Sequence, residues 1–251
     1  MAVLYKYLPP ERLDVLERRS MRLSQPSALN DPHDALLALR SRLEEYGGVE
    51  RVRADDFLVE RVYARQFRED LGRQLGVLCF SANPCVHLMW SHYALNHTGY
   101  LLHVDPEHAF FDRELIWKSS PYWVEHRYIG LPHPSPVSYS GERKVYYSED
   151  GVPWDVLFQK SHHWMYEEEH RSVMNLADAN VLEQTKNDPW PVYLIDLPLG
   201  LISGATLGLD ASEETVTRVT VACAEMRVPV YRIIPDHLTY NLRSVPLDAV
   251  K

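Results

Sequence analysis

The chain has 251 residues, of which 45% are hydrophobic and 24% are charged, the balance of an ordinary globular protein. Its formal net charge of -9 predicts an acidic surface, which disfavours broad electrostatic binding of free nucleic acid. Three scattered cysteines, Cys79, Cys85 and Cys223, argue against a disulfide framework and predict a reducing compartment.

The first residues, MAVLYKYLPPERLD, do not place an apolar segment after a basic one, so we expect no signal peptide. No apolar run approaches the length of a membrane-spanning helix. Together with the cysteine content, this predicts a soluble protein of the cytoplasm without a membrane partner.

Runs of alternating or continuous apolar residues predict a succession of strands. In chain order they lie at residues 3–7, 21–24, 77–81, 100–105, 144–148, 171–176, 191–198, 202–208 and 228–234. Amphipathic periodicity and helix start signals predict helices among them. These span residues 10–19, 35–46, 55–75, 86–97 and 211–226.

This order of elements predicts an α+β fold rather than a regular βαβ alternation. We expect one domain over residues 1–251 with a mixed, mostly antiparallel β core, formed by one sheet or by two packed sheets. A helical segment at about residues 33–75 and a Pro- and Tyr-rich loop at about residues 117–141 would be inserted in it. A glycine-rich phosphate loop is absent from the sequence, so Rossmann and P-loop folds lack their signature.

Two polar clusters stand near the start of the chain. Lys6, between Tyr5 and Tyr7 on the first predicted strand, can hold a phosphate or carboxylate, or can simply protect a sheet edge from aggregation. The second cluster contains Asp31 and Asp34. Its residues either fix a turn and cap a helix, or place Asp31 at a cleft edge where it would bind a ribose hydroxyl or a metal. Lys6, Tyr7 and Asp31 are therefore candidate binding residues.

A third cluster combines a strand end with an aromatic helix. Ser81 ends a predicted strand, where functional hydroxyls are common. In the helix that follows, Met89, Tyr93 and His97 share one face and Trp90 lies beside it. Such a stripe is either core or a wall that stacks on a flat heterocycle. Ser81, Trp90 and Tyr93 are the candidate ligand-binding residues here.

The fourth cluster is the charged run KSHHWMYEEEHR. As a strand, it places Glu167, Glu169 and Arg171 on one face, and we favour this interpretation. As a helix, it would align His163, Glu167 and His170, a trio that could bind zinc or iron. Because the strand separates that trio, no metal is expected. A solvated run of charges is the remaining alternative.

Taken together, these clusters resemble a bacterial family defined by a domain of unknown function, family 2971. The matching stretches are LYKY (4–7), RLSQPSALNDPHD (22–34), CFSANPCVHLMWSHYALNHTGYLLHVD (79–105) and KSHHWMYEEEHR (160–171). They follow the family's order. The sequence departs from the family pattern at His33, where an aromatic residue is usual, and at His170, where Trp is usual. This resemblance implies no established activity.

The motif order is similar, more distantly, to the ADP-ribosyltransferase superfamily. Those enzymes have a basic residue or His on an early strand, a Ser, Thr or Tyr on a later strand, and the key Glu at the start of a final strand. The corresponding residues here are Lys6, Ser81 with Tyr93, and the Glu167-x-Glu169 pair. Lys6 departs from the His or Arg of the superfamily. By analogy, the resemblance implies an NAD-consuming bacterial toxin or phage-defence effector.

The residue types suit that chemistry. Cleavage of the nicotinamide–ribose bond passes through an oxocarbenium-like state, which a nearby carboxylate stabilises. An aromatic wall can stack on nicotinamide, and a cation can hold the pyrophosphate. The resemblance implies that Glu169 is the central carboxylate. Glu167 would position the acceptor or its water, and Arg171 would keep both carboxylates ionised. The macromolecular acceptor, protein or nucleic acid, is not identified by the sequence.

Two other function classes stay open. One is a metal-dependent nuclease or hydrolase built on Asp31, Glu167, Glu169 and nearby histidines. The other is a non-catalytic module that binds a nucleotide. Every version predicts one cleft in which Trp90 or Tyr93 contacts the segment 166–171.

Overall fold

The computed structural model of the chain describes residues 3–40, 54–118, 125–129, 132–147, 154–182 and 190–249. Its helices are α1 (Asp14–Arg18), α2 (Ala54–Gly72), α3 (His87–Tyr93) and α4 (Glu213–Met226). Its strands are β1 (Leu4–Leu8), β2 (Ser20–Leu23), β3 (Ala38–Arg40), β4 (Leu75–Ser81), β5 (Tyr100–Val104), β6 (Glu114–Lys118), β7 (Glu125–Ile129), β8 (Ser135–Pro136), β9 (Ser138–Ser140), β10 (Val145–Tyr147), β11 (Gln159–Ser161), β12 (Glu169–Asn175), β13 (Asn180–Leu182), β14 (Val192–Asp196), β15 (Ile202–Leu207), β16 (Val230–Pro235) and β17 (Leu242–Pro246).

One eight-stranded sheet organises the described residues, with the order β17-β16-β15-β5-β1-β4-β12-β8. Its neighbouring strands are antiparallel, except that β15 and β16 are parallel. Helix α4 joins that parallel pair, since parallel neighbours need a long crossover. Small sheets of two or three strands accompany the large one. The predicted α+β class with a mostly antiparallel core is confirmed.

Local sequence signals explain where α4 begins and ends. Ser212 is its N-cap, and the Ser212 Oγ accepts a hydrogen bond from the Thr215 amide at 3.2 Å. This satisfies one of the amides that a helix leaves unpaired at its N-terminus. The helix ends at Arg227, whose φ of 59° is left-handed. Its buried face, with Val219 and Cys223, packs on the sheet.

Apolar clusters cover both faces of the large sheet. On one face, α1, β2 and α4 pack against Leu4, Leu8 and Leu102. On the opposite face there are two separate clusters. Trp90 of α3 belongs to one of them, and Val173 of β12 belongs to the other, together with residues of α2. Between these two clusters lies a group of polar residues that includes Lys160, Glu167 and Glu169.

The large sheet separates between β1 and β4. These two strands pair at a single position, where Tyr5 lies opposite Ser81. Further along β4, Val77 exchanges two backbone hydrogen bonds with Ser24, which follows β2, at 3.1 and 2.8 Å. The end of β2 thus takes the edge of β4 that β1 has left. The separation creates a cleft beside the Tyr5–Ser81 position.

Three predicted elements need correction. The helix predicted over 35–46 is wrong at residues 38–40, which form β3 because they pair with β10; residues 41–46 lie outside the described ranges. Part of the loop predicted at 117–141 is strand, since β6 pairs with β7 and β8 adds to the edge of β12; residues 119–124 and 130–131 lie outside the described ranges. The helix predicted over 86–97 ends at Tyr93.

Beyond Tyr93, three consecutive residues have left-handed backbone conformations: Leu95, Asn96 and His97, with φ values of 47°, 51° and 66°. This turn brings the His97 carbonyl against Gly208, whose amide donates to the Gly99 carbonyl at 2.8 Å. A Cβ atom at Gly208 would lie 2.0 Å from the His97 oxygen. The close approach of two backbone segments therefore requires glycine at this position.

We predict that Gly208→Ala lowers the free energy of unfolding by about 1–3 kcal/mol, the cost of overpacking a filled site. Urea unfolding followed by circular dichroism measures the change. Gly141→Ala is the matched control, because a Cβ there would meet its nearest neighbour at 3.5 Å, an ordinary contact. Equal stability of the two variants would contradict this account of Gly208.

Candidate functional site

A cavity of about 220 Å³ lies where β1 and β4 separate. Strands β1, β4, β11 and β12, helix α3 and the loop after β2 contribute to its walls. Most of the candidate residues from the sequence line it: Lys6, Tyr7, Ser81, Tyr93, Glu167, Glu169 and Arg171. Asp34 of the second cluster lines the cavity as well, so the structure brings residues from all four sequence clusters to one place.

Three adjacent strands set the register of the cavity floor. Tyr5 of β1 lies opposite Ser81 of β4, and Ser81 also lies opposite Glu169 of β12. Paired residues of antiparallel strands point to the same face. Hence an aromatic residue, a hydroxyl and a carboxylate stand side by side, and β12 continues along this face with Arg171 and then Val173.

A buried ion cluster forms one wall of the cavity. Arg171 holds Glu169 through two hydrogen bonds, from Nε to Oε1 at 2.9 Å and from Nη2 to Oε2 at 3.0 Å. Lys160 Nζ donates to Glu169 Oε2 at 3.1 Å and to Glu167 Oε2 at 2.5 Å. Asp34 Oδ1 lies 2.7 Å from Arg171 Nη1. All five side chains are at least nine-tenths buried.

The cluster separates the pKa values of its two glutamates. Burial alone would raise the pKa of Glu169, but the Arg171 guanidinium and the Lys160 ammonium lower it to about 2. For Glu167, burial raises the pKa more than Lys160 and Tyr93 lower it. Arg171 pairs with Glu169 and Asp34, whereas Glu167 pairs with Lys160. The prediction that Arg171 holds both glutamates is therefore wrong for Glu167.

Glu167 does not lie on the strand predicted for its segment. Residues His162–Glu167 form a 3₁₀ turn, Glu168 has a left-handed φ of 43°, and β12 begins only at Glu169. The turn begins at Ser161, whose Oγ accepts from the His163 amide. The strand prediction for this stretch is wrong before Glu169, because the cap starts a turn there.

A hydrogen-bonded chain connects Glu167 to α3. The Tyr93 hydroxyl donates to Glu167 Oε1 at 2.5 Å, and Asn30 Nδ2 donates to the Tyr93 oxygen at 2.6 Å. The prediction that Tyr93 contacts the segment 166–171 in one cleft is confirmed. Lys6 Nζ donates to the carbonyl of Cys79, a residue of β4 that also lines the cavity, at 2.9 Å.

We compared the chain with known proteins in three ways. A scan against models of protein families, a search of curated proteins and a search of solved structures each found no match. The resemblances to domain family 2971 and to the ADP-ribosyltransferases therefore stay predictions.

Two candidate residues lie outside this cavity. Trp90 is fully buried, and its Nε1 donates to the Pro84 carbonyl at 2.8 Å, so it is a core residue behind the wall and does not reach a ligand there. Asp31 accepts from the His33 amide at 2.8 Å, as in an Asx turn. It lines a neighbouring cavity of about 740 Å³, which shares Lys160 with the smaller one.

Three residues of the site were not among the candidates: Lys160 had no assigned role, and Asn30 and Asp34 were predicted only to fix a turn and cap a helix. The signal for Lys160 was present, because two carboxylates on one buried face need more than one cation. Asp34 and Asn30 depend on the path of the loop after β2, which local sequence does not define.

The described residues bear on metal binding and on membrane crossing. In these ranges no three His, Cys, Asp or Glu side chains form a group that could hold a metal ion. Glu167, which a helix would have aligned with His163 and His170, accepts hydrogen bonds from Lys160 and Tyr93. Of the helices that the structure describes, none combines the length and apolar character needed to cross a bilayer.

We predict that Glu169→Gln lowers the free energy of unfolding by about 3–5 kcal/mol, because it leaves Arg171 charged and buried without its main partner. Denaturant unfolding at neutral pH measures the loss. Glu17→Gln is the matched control, since it removes an exposed partner of Arg218. Replacing both residues, with Glu169→Gln and Arg171→Met, should recover part of the stability. A double variant as unstable as the sum of its single variants would contradict the pairing.

The pH dependence of this effect has a defined sign. The folded-state pKa of Glu169, about 2, lies below its ordinary value of 4.5. Its contribution is therefore complete above about pH 4.5 and is lost as the pH falls toward 2. The stability difference between the wild type and Glu169→Gln should shrink over that range.

Proposed function

We propose that this chain is an NAD-consuming enzyme of the ADP-ribosyltransferase type, which transfers ADP-ribose or hydrolyses NAD in the cavity between β1 and β4. The observation that supports it most is that residues from three adjacent strands meet at one cavity. Lys6 on β1, Ser81 on β4 and Glu169 at the start of β12 follow one another along the chain as the resemblance implies. They all line the same cavity.

The charges of the cavity suit the reacting end of NAD. The ion cluster contains three carboxylates, Asp34, Glu167 and Glu169, and two cations, Lys160 and Arg171. When all are ionised, the cluster favours a positive ligand, and the nicotinamide ring of NAD is a cation. Lys6, which also lines the cavity, would meet the pyrophosphate. The cavity volume of about 220 Å³ is below the range for a complete drug-sized ligand, so it would hold the reacting end alone.

The proposed reaction breaks the bond between ribose C1′ and the nicotinamide nitrogen. Nicotinamide leaves with the bonding electron pair and becomes neutral, while positive charge develops on C1′ and the ring oxygen of the ribose. Glu169 remains ionised at all working pH values, because Arg171 and Lys160 hold its pKa at about 2. It would stabilise that developing charge. The nucleophile of the acceptor, or of water, then bonds to C1′.

The nucleophile must lose a proton, and Glu167 is placed to accept it. Its pKa is raised by burial, and a general base works best when its pKa is close to the working pH. A pair of carboxylates with separated pKa values is the arrangement by which one site supplies a fixed charge and a proton acceptor. The two glutamates therefore take different roles.

The ion pairing favours this proposal over a metal-dependent nuclease. Metal sites use carboxylates that are free to coordinate an ion, whereas Glu167 and Glu169 already accept from Lys160, and Glu169 also from Arg171. A binding module would use the same cavity without turnover, and the following experiment separates the two.

We predict that the purified protein releases nicotinamide from NAD and that Glu167→Gln lowers the rate by about 10²–10³-fold, the usual cost of one such electrostatic or proton-transfer group. Chromatographic assay of nicotinamide, with and without cell extract as a source of acceptor, measures the rate. Glu168→Gln is the matched control, because the neighbouring Glu168 side chain is exposed and accepts a hydrogen bond from Asn83 outside the ion cluster.

Glu169→Gln should abolish release as well, but it is informative only if circular dichroism shows that the variant is folded. Release that is the same in wild type, Glu167→Gln and Glu169→Gln would remove both residues from the mechanism. If no release occurs and calorimetry detects no NAD binding, the proposed function is wrong. Binding without release would identify a binding module.

A further inference from the structure

Three distant parts of the chain meet at the hydroxyl of Tyr93. Tyr93 is the last residue of α3, Asn30 lies in the loop after β2, and Glu167 ends the 3₁₀ turn before β12. The two hydrogen bonds at this hydroxyl are 2.6 Å from Asn30 Nδ2 and 2.5 Å to Glu167 Oε1. The contact is therefore tertiary, and it ties the loop after β2 to the carboxylate of the site.

The direction of these hydrogen bonds is set by the chemistry of the groups. A tyrosine hydroxyl has one proton to donate, and an amide nitrogen can only donate. Because Asn30 Nδ2 donates to the Tyr93 oxygen, the phenol proton is left for Glu167 Oε1. The other oxygen, Glu167 Oε2, accepts from Lys160. Each oxygen of the carboxylate thus has its own donor, which restricts rotation of the carboxylate plane.

A carboxylate held in this way still has acceptor sites left, since its two oxygens offer about four lone-pair positions. Glu167 lines the cavity together with Tyr93 and Lys160. The free positions are therefore those available to a nucleophile in the cavity. The entropic cost of fixing the Glu167 side chain is small, because the side chain is buried and its rotamers are already restricted.

We propose that Tyr93 and Asn30 are positioning residues for Glu167: the amide of Asn30 directs the Tyr93 proton to Glu167, and this bond aims the carboxylate at the acceptor nucleophile. The proposal rests on the proposed function, because only that function makes Glu167 the base for an acceptor nucleophile. Tyr93 acts through Glu167 and does not itself bind the substrate, in contrast to the stacking role expected from the sequence.

The groups that face Glu167 come from five elements. They are Lys160 of β11, Tyr93 of α3, Glu169 of β12, Tyr166 of the 3₁₀ turn and Tyr139 of β9. A hydrogen bond to the charged form of a carboxyl lowers its pKa, so the Tyr93 hydroxyl favours ionised Glu167. Removing only this hydroxyl should raise the pKa of Glu167 and leave the other four groups in place.

The test uses the full chain and two readouts. The first is the titration of Glu167 by carbon NMR of protein labelled at the glutamate carboxyl, with Glu167→Gln identifying the signal. Tyr93→Phe should shift the titration to higher pH. Asn30→Asp should shift it in the same direction, because the new carboxylate would take the Tyr93 proton away from Glu167. Asn30→Ala, which adds no charge, should give a smaller shift. Tyr240→Phe, at a residue that is 99% exposed, should give none.

The second readout is the pH profile of nicotinamide release. Tyr93→Phe should lower kcat about tenfold or more, with little change in KM. This is the rate change that corresponds to the free energy of one hydrogen bond to a charged group. The acidic limb of the kcat profile should move to higher pH, because Glu167 must be deprotonated to act as the base. A purely structural role for Tyr93 would lower stability without moving that limb.

The two readouts separate the two claims. If wild type releases no nicotinamide, the proposed function is wrong, and the NMR titration still decides whether Tyr93 controls Glu167. If the Glu167 titration is identical in wild type and Tyr93→Phe, the positioning proposal is wrong whatever the activity. If the titration shifts but kcat and its pH profile do not, Tyr93 does not position a catalytic base, and the proposal is also overturned.

Discussion

The arrangement of the site depends on the burial of Lys160 and Arg171 among three carboxylates. Burying an ion costs several kcal/mol even after relaxation, and only close, well-oriented partners offset that cost. Arg171 is therefore constrained to contact both Glu169, on its own strand, and Asp34, from the loop after β2. Lys160 must reach Glu167 and Glu169 at once. These requirements fix the positions of β11, the 3₁₀ turn and the loop relative to β12.

The separation of β1 from β4 gives this cluster its cavity. In a continuous sheet, β1 would pair with β4 along its whole edge and leave no gap between the two strands. Instead, β1 leaves β4 after the Tyr5–Ser81 position, and Ser24 pairs with Val77 further along. The Cys79 carbonyl accepts from the side chain of Lys6. A basic residue is thus held at the gap, beside the Cys79 position that pairs with Arg171 of β12, where the proposed dinucleotide substrate would need a cation for its pyrophosphate.

Local sequence predicted the elements whose signals are local. The alternation in LYKYL and the apolar run before Ser81 indicated β1 and β4, and the amphipathic periodicity over residues 211–226 indicated α4. The strands in 117–141 were missed because Pro and Tyr there are placed by pairing with other strands. Pro136, for example, is tolerated since it lies on the edge strand β8, where an amide is not needed on the outer side.

The sequence predicted which residue types form the candidate site better than it predicted how those residues are arranged. Seven of the candidates line one cavity because β1, β4 and β12 are neighbours, and no local pattern encodes that order. Trp90 was assigned to the ligand on the ground of its aromatic ring, but a helix packed on a sheet buries its largest apolar side chain. Glu167 and Glu169 were placed on one strand face because sequence spacing cannot show the left-handed residue Glu168 between them.

That left-handed residue has a chemical consequence. On a regular strand, residues two apart share one face, and Arg171 on that face could then reach both glutamates and hold both ionised. The turn at Glu168 rotates Glu167 away from Arg171 and toward Tyr93 and Lys160. Glu169 keeps the guanidinium, and its pKa falls to about 2, whereas burial of Glu167 raises its pKa. A single backbone conformation therefore gives two identical side chains different environments: Arg171 lowers the pKa of one, and burial raises the pKa of the other. The proposed reaction requires such a separation of pKa values, with one carboxylate as a fixed charge and the other as a proton acceptor.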